Sequence, residues 1–207
     1  MKRIGLVVAY DGTNYCGWQV QPNGITIEEV LNRTISKLTG EEIRIIGASR
    51  TDSGVHALGN VAVFDTESRI PPERMAYALN QKLPEDIVIV RSEEVSLDWH
   101  PRYQDQITKT YEYHIFNAAV KNPLRQRYNA YVSFPLDVEQ MRKGAAYIIG
   151  EHDFASFCNV RTNTNDTVRT VYDIQIEEVG ETGGTEIIIR VTGNGFLYNM
   201  VRIIAGT

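Results

Sequence analysis

The sequence predicts an α+β protein of two lobes, each running strand, helix, strand, strand, helix, strand, with the last strand of the second lobe absent. Three observations carry that expectation. Strand-like apolar runs alternate with amphipathic stretches at helical spacing, and the order seen in the first half recurs in the second. The length of 207 residues fits two domains of about 100 residues as well as one large one. At 43% hydrophobic and 23% charged residues the chain is ordinary for a globular protein and rich enough in apolar groups for a sizeable core, which excludes disorder, collagen and coiled coil.

Taken in order, Arg3 to Tyr10 is apolar and β-branched, and Asp11-Gly12 breaks it with turn chemistry. Thr26 then caps a helix, with Glu29 three residues on and Ile27, Val30, Leu31, Ile35 and Leu38 at helical spacing until Gly40. Strands follow over Ile43 to Ala48 and Asn60 to Thr66. Pro71-Pro72 opens a second helix with Met75, Leu79 and Leu83 on one face, and Ile87 to Val95 closes the half as a strand. In the second half Thr110 to Phe116 sets Tyr111, Tyr113 and Ile115 against Glu112 and His114, the period of a half-buried strand. A short apolar piece spans Tyr128 to Phe134. Asp137 with Gln140 caps a helix carrying Val138, Met141, Ala145 and Ile148, which Gly150 stops. Thr170 to Val179 and Glu186 to Thr192 form a hairpin across a five-residue loop, and Phe196 to Ile204 reads as a helix. The domains are expected at residues 1–104 and 105–207, near the Trp99-His100-Pro101 turn, the second truncated at its missing strand.

No stretch approaches the roughly 18–20 apolar residues of a membrane span. The opening Met1-Lys2-Arg3-Ile4-Gly5-Leu6 enters a strand without a signal-peptide core, so the expected location is the cytoplasm, away from any membrane. Cys16 and Cys158 lack CxxC or zinc spacing and read as plain thiols. The net charge of −5 speaks against wholesale coating of nucleic acid. Its distribution does not: Arg102, Lys109, Lys121, Arg125 and Arg127 are opposed only by Asp105 and Glu112. Such a stripe either binds RNA in a salt-dependent way or is a solvated loop.

Reactive chemistry concentrates in Gly47-Ala48-Ser49-Arg50-Thr51-Asp52-Ser53-Gly54-Val55-His56, a loop of small and polar residues between two apolar strands. Asp52, flanked by hydroxyls and followed by Gly54, is placed either to approach a ligand closely or to hold an Asx-type turn with Arg50 as its surface partner. With His56 it makes only two ligand-type residues, too few for a metal. The loop Tyr10 to Gln19 carries Tyr10, Tyr15 and Trp18, which either stack nucleobases or pack. Arg202 lies in an otherwise apolar helical segment, so burial would demand an anionic partner, for which Asp52 is a candidate.

The runs AYDGTNYCGWQ, RTDSGVHA, KTYEYHI, GEHDFASF and FLYNMVR, in this order and over nearly the whole chain, resemble the tRNA pseudouridine synthase A family. The resemblance implies a pseudouridine synthase fold, with two RRM-like or ferredoxin-like lobes whose antiparallel sheets form a central cleft. It implies an isomerase that converts uridine to pseudouridine in the anticodon arm of tRNA, at positions 38–40 in tRNA numbering, acting as a homodimer without cofactor or metal. By the matching motifs Asp52 is the catalytic aspartate, Tyr111 stacks on the target base and acts in removing its C5 proton, Arg202 pairs with the aspartate, and Arg50 helps base flipping. The stripe residues Arg102, Lys121, Arg125 and Arg127 would meet substrate phosphates. Ser49 and Ser53 stand where the family more often has Gly and Ala, and the family continues with a further strand and a small-residue segment. A carboxylate is a competent nucleophile, at C1′ of the ribose or at C6 of the uracil, and a base must leave its stack to be turned over. Two rivals fit less well: a non-catalytic tandem RRM protein lacks its aromatic strand signature here, and a glycosidase would pair two carboxylates.

Overall fold

The structure is a computed structural model that describes residues 1–103, 107–159 and 166–207. The backbone forms two compact units, Met1–Asp105 and Gln106–Thr207.

In the first unit β1 (Lys2–Tyr10), β2 (Ile46–Gly47), β3 (Ala57–Thr66) and β4 (Ile87–Val95) make an antiparallel sheet in the order β2, β3, β1, β4, with α1 (Ile27–Thr39) and α2 (Pro72–Asn80) supplying its cover. The alternation along β1 sends Ile4, Leu6, Val8 and Tyr10 into one core with Ile27, Leu31 and Ile35 of α1 and Met75 and Leu79 of α2, all at most 5% exposed. Each fully buried aliphatic of this kind contributes about 1.5–3 kcal/mol. The expected caps hold α1 at both ends: Thr26 accepts from the Glu29 N–H, and Gly40, at φ 77°, returns its N–H to the Ser36 carbonyl.

One expectation is corrected here. The strand expected over Ile43 to Ala48 is only two residues long. Ile43 and Ile45 are buried, but side chains of α1 capture their N–H groups: Ser36 Oγ accepts from Ile43 at 2.9 Å and Asn32 Oδ1 from Ile45 at 2.8 Å. Satisfied donors have no need of a strand partner. Its neighbour β3 begins earlier than expected, at Ala57.

The second unit contains β5 (Lys109–Asn117), β6 (Ala130–Val132), α3 (Val138–Ala145), β7 (Gly150–Asp153), β8 (Val168–Glu181), β9 (Gly184–Gly193) and α4 (Met200–Gly206). Their sheet runs β6, β5, β9, β8, β7, and it is mixed: β6 lies parallel to β5, pairing Ile115 with Ala130, while the other pairings are antiparallel. The repeat of the first half is therefore only partial, and β7 at the sheet edge was not anticipated. Asp137 caps α3 as expected, accepting from the Gln140 N–H, but the helix ends at Ala145, and Gly150 starts a strand. The hairpin loop is two residues, Thr182-Gly183, because Glu181 and Gly184 pair with each other and Gly183 takes φ 86°. The last helix starts at Met200, after Asn199 in the left-handed region at φ 61°. Ile115, Val138, Phe154, Ile187, Ile189, Val191, Met200 and Ile204 make up most of a separate core. Among the described residues no helix is long and apolar enough to cross a membrane.

Candidate active site

The loop from Ala48 to His56 joins the two-residue β2 to the long β3, so its upstream stem has little strand pairing to hold it. Its shape comes from bonds to other parts of the first unit. The Ala48 N–H donates to the Val61 carbonyl at 2.7 Å. At Ser49 the buried Asn60 side chain takes over, accepting from the Ser49 N–H at 3.2 Å and donating to its carbonyl at 3.1 Å, as a strand partner would. Thr51 is held twice: its carbonyl accepts from the Trp18 N–H at 3.0 Å, and its hydroxyl meets Tyr10 Oη at 2.8 Å. Beyond Asp52, the Ser53 hydroxyl and the Gly54 N–H both donate to the Tyr15 carbonyl at 3.3 Å, and Gly12 N–H donates to His56 Nδ1 at 3.1 Å. A carboxylate oxygen of Asp11 lies 3.0 Å from the same nitrogen.

This packing of one loop on another requires glycine at two places. A Cβ on Gly12 would fall 2.0 Å from the Val55 carbonyl oxygen, and one on Gly17, at φ 84°, 2.5 Å from that of Thr51. Between these contacts Asp52 is half-buried, its carbonyl accepting from the Val55 N–H at 3.1 Å. Arg50 is exposed, and among the described residues it makes no hydrogen bond or ion pair.

The aromatics of the first loop resolve as packing groups. Tyr10, Tyr15 and Trp18 are 5%, 7% and 1% exposed, which leaves no face open to a nucleobase. The Tyr15 hydroxyl donates to Asp86 at 2.6 Å, and burial together with that carboxylate raises its pKa well above the ordinary range. Among the described residues no three His, Cys, Asp or Glu side chains come together to hold a metal ion.

In the second unit Tyr111 is half-buried on β5, opposite Val191 of β9, its ring edge-on to Phe196 with centroids 5.2 Å apart. Arg202 is exposed: Met200, Val201 and Ile204 take the buried side of α4, so burial places no demand on its charge. The stripe residues have different surroundings. Arg102, in the first unit, donates from Nε to the Gly47 carbonyl at 2.6 Å. Arg125 pairs with Glu186 at 3.3 Å, and Lys121 is exposed with its ammonium 5.5 Å from the Tyr131 ring centre. Arg127 is exposed. Phe116, Lys121, Asn122, Arg125, Asn129 and Tyr131 line a cavity of about 230 Å³.

Two residues that shape these surroundings escape sequence reading. Asn60 lies inside a strand pattern and gives no sign of facing a loop eleven residues upstream. Glu186 is 9% exposed and gathers His114 at 2.9 Å, Asn129 at 2.7 Å and Arg125, while burial raises its pKa and these partners outweigh that to hold it below the ordinary value. An acidic residue within the Ile-rich run of β9 was the only available signal.

A family model described as tRNA pseudouridine synthase matches residues 6–104 and 145–207. Proteins named tRNA pseudouridine synthase A from Thermoanaerobacter sp. (strain X514) and Brevibacillus brevis are 49% and 47% identical over 207 residues, covering 100% of this chain and 83% of each relative. A protein of the same name from Acetivibrio thermocellus is 46% identical over the same span.

Proposed function

The chain belongs to the tRNA pseudouridine synthase family, and on that premise we propose that it isomerises uridine to pseudouridine in the anticodon arm of tRNA, at positions 38–40, with Asp52 as nucleophile. The observation that carries the assignment of Asp52 is the bracing of its loop. Hydrogen bonds hold the residues on both sides of the carboxylate, and two glycines let the supporting loop approach its main chain. Fixing a reacting group in this way supplies much of what positioning contributes to catalysis.

The reaction breaks the bond between N1 and C1′, turns the base, and joins C5 to C1′; the C5 proton leaves and N1 gains one. Asp52 adds covalently, either at C1′, to be displaced when C5 joins that carbon, or at C6, to be expelled after the new bond has formed. Base flipping must precede this. Arg50, exposed two residues before Asp52, is assigned to that step, and its exposure supports the role. By the matching motifs Tyr111 is assigned to stacking on the uracil and assisting proton removal from C5, and Arg202 to pairing with the catalytic carboxylate. The exposure of the Arg202 guanidinium leaves it accessible to an anion. Lys121, Arg125 and Arg127 are assigned to phosphates, which position the substrate without reading its sequence. The enzyme acts in the cytoplasm as a homodimer; light scattering of the purified protein tests the dimer.

The decisive experiment follows tritium release from C5-labelled uridine in a tRNA transcript. Asp52→Asn should abolish release while tRNA binding stays within about tenfold, since affinity rests mainly on phosphate contacts. Substantial pseudouridine formation by that variant would remove the assignment.

A further inference from the structure

The strand leading into the Asp52 loop is the shortest of its unit. Two residues of β2 pair with Val63 and Ala62, and Gly47, the second of them, is the last residue before the loop. Its neighbours leave it little room, since a Cβ there would lie 2.5 Å from the indole of Trp18, itself 1% exposed. On its open side the Gly47 carbonyl accepts the Arg102 Nε–H at 2.6 Å, a charge-assisted bond from a residue 55 positions away.

Arg102 is itself held. It lies in a doubly turned segment, where the Trp99 N–H donates to the Ser96 carbonyl at 3.0 Å and the Arg102 N–H donates to His100 Nδ1 at 3.1 Å. Tyr103 stacks on His100 with ring centres 4.5 Å apart. The segment is tied to the sheet by Arg3 of β1, which donates to the Trp99 carbonyl at 3.0 Å while its Nε and Nη2 grip Asp65 of β3 at 2.7 and 2.8 Å. An unbroken chain of bonds thus runs from the sheet, through Arg3, the Trp99 turn and Arg102, to the foot of the Asp52 loop.

We propose that Arg102 is a positioning residue for the proposed nucleophile, fixing the upstream stem of its loop through the Gly47 carbonyl. The inference rests on the assignment of Asp52 above and concerns the chemical step rather than substrate affinity. Loss of the brace lets the stem move and spoils the placement of the carboxylate five residues on, whereas loss of a phosphate contact would weaken binding and its salt dependence.

Arg102→Met and Arg102→Lys separate the two in single-turnover tritium release with saturating enzyme, combined with tRNA binding over a range of salt. The methionine variant should lower the single-turnover rate by about tenfold or more, because misplacement by about an ångström costs on the order of a hundredfold. Its tRNA dissociation constant should stay within about twofold with an unchanged salt slope, the split of a group that acts in the reaction and not in ground-state binding. Lysine, which can still donate to the carbonyl, should restore most of the rate. An unchanged thermal midpoint for Arg102→Met keeps the fall from being read as unfolding. A full rate in Arg102→Met, or a loss confined to binding with the salt slope lowered by about one, would overturn the inference. Activity in Asp52→Asn would instead overturn the assignment of the nucleophile, whatever Arg102 does.

Discussion

Replacing Asn60 by Ala isolates the support that a single buried amide gives to the loop. The side chain is 7% exposed and makes two bonds to Ser49, at 3.2 and 3.1 Å, plus a longer one to Tyr10 Oη at 3.5 Å. A hydrogen bond contributes about 1 kcal/mol net, and a buried donor or acceptor left without a partner costs about 1–3 kcal/mol. Ser49 is half-buried, so water recovers part of the loss. The expected cost is about 2 kcal/mol, near the lower end of two such groups. Both tryptophans, Trp18 and Trp99, belong to the first unit, so urea unfolding followed by tryptophan fluorescence reads that unit directly. Amide exchange at Ser49 should accelerate together with the fall in midpoint. A cost below about 0.5 kcal/mol, the level of an ordinary surface change, would refute the claim that Asn60 stands in for a strand partner.

Acid should weaken the second unit through Glu186. Burial pushes this carboxyl up, but bonds from His114 and Asn129 and the Arg125 charge hold its pKa below the unfolded value. Its stabilising contribution is therefore complete above the unfolded pKa of about 4.3 and is lost as pH falls through the folded value. The stability difference between wild type and Glu186→Gln should shrink from pH 7 to pH 3, and a constant difference in urea unfolding would contradict this. For the basic loop, Lys121→Gln and Arg127→Gln should each lower the salt slope of tRNA binding by about one. Arg125→Gln should also cost stability, since it strips Glu186 of a partner; unaltered slopes for all three would return the loop to a solvated surface.

What the sequence disclosed and what it concealed divide along the reach of the interactions. The caps of α1 and the extent of β4 were legible because Thr26, Gly40 and the Ile87–Val95 pattern act on their immediate neighbours. The shortness of β2 was not, since it depends on Ser36 and Asn32 taking the N–H groups of residues 7 and 13 positions on. Parallel pairing of β6 with β5 leaves no mark in hydrophobic period, and the α3 pattern ran through Ile148 although the helix stops at Ala145. At the candidate site the motif around Asp52 drew attention by its composition and by its resemblance to a family motif. Tyr10 and Trp18 stood out only as aromatics and Asn60 not at all; their service to the loop, through the Tyr10 hydroxyl, the Trp18 N–H and the Asn60 amide, leaves no mark in the pattern. For Arg202 the sequence left the decisive condition open, namely whether its side of the helix is inside: a helix has an outer side, and the guanidinium occupies it.

Most of the grips on the Asp52 loop close on peptide groups: the carbonyls of Gly47, Ser49 and Thr51 and the N–H groups of Ala48, Ser49 and Gly54. The surroundings therefore recognise the course of the main chain and are largely indifferent to which side chains decorate it. Shape and chemistry become separable: Ser49 and Arg50 are open to exchange for altered reactivity or substrate preference at small cost to folding. The constraint is displaced onto residues outside the loop, Gly12, Gly17 and Asn60, which never meet the substrate in this scheme. A library built to retune the enzyme should vary the first group and leave the second untouched.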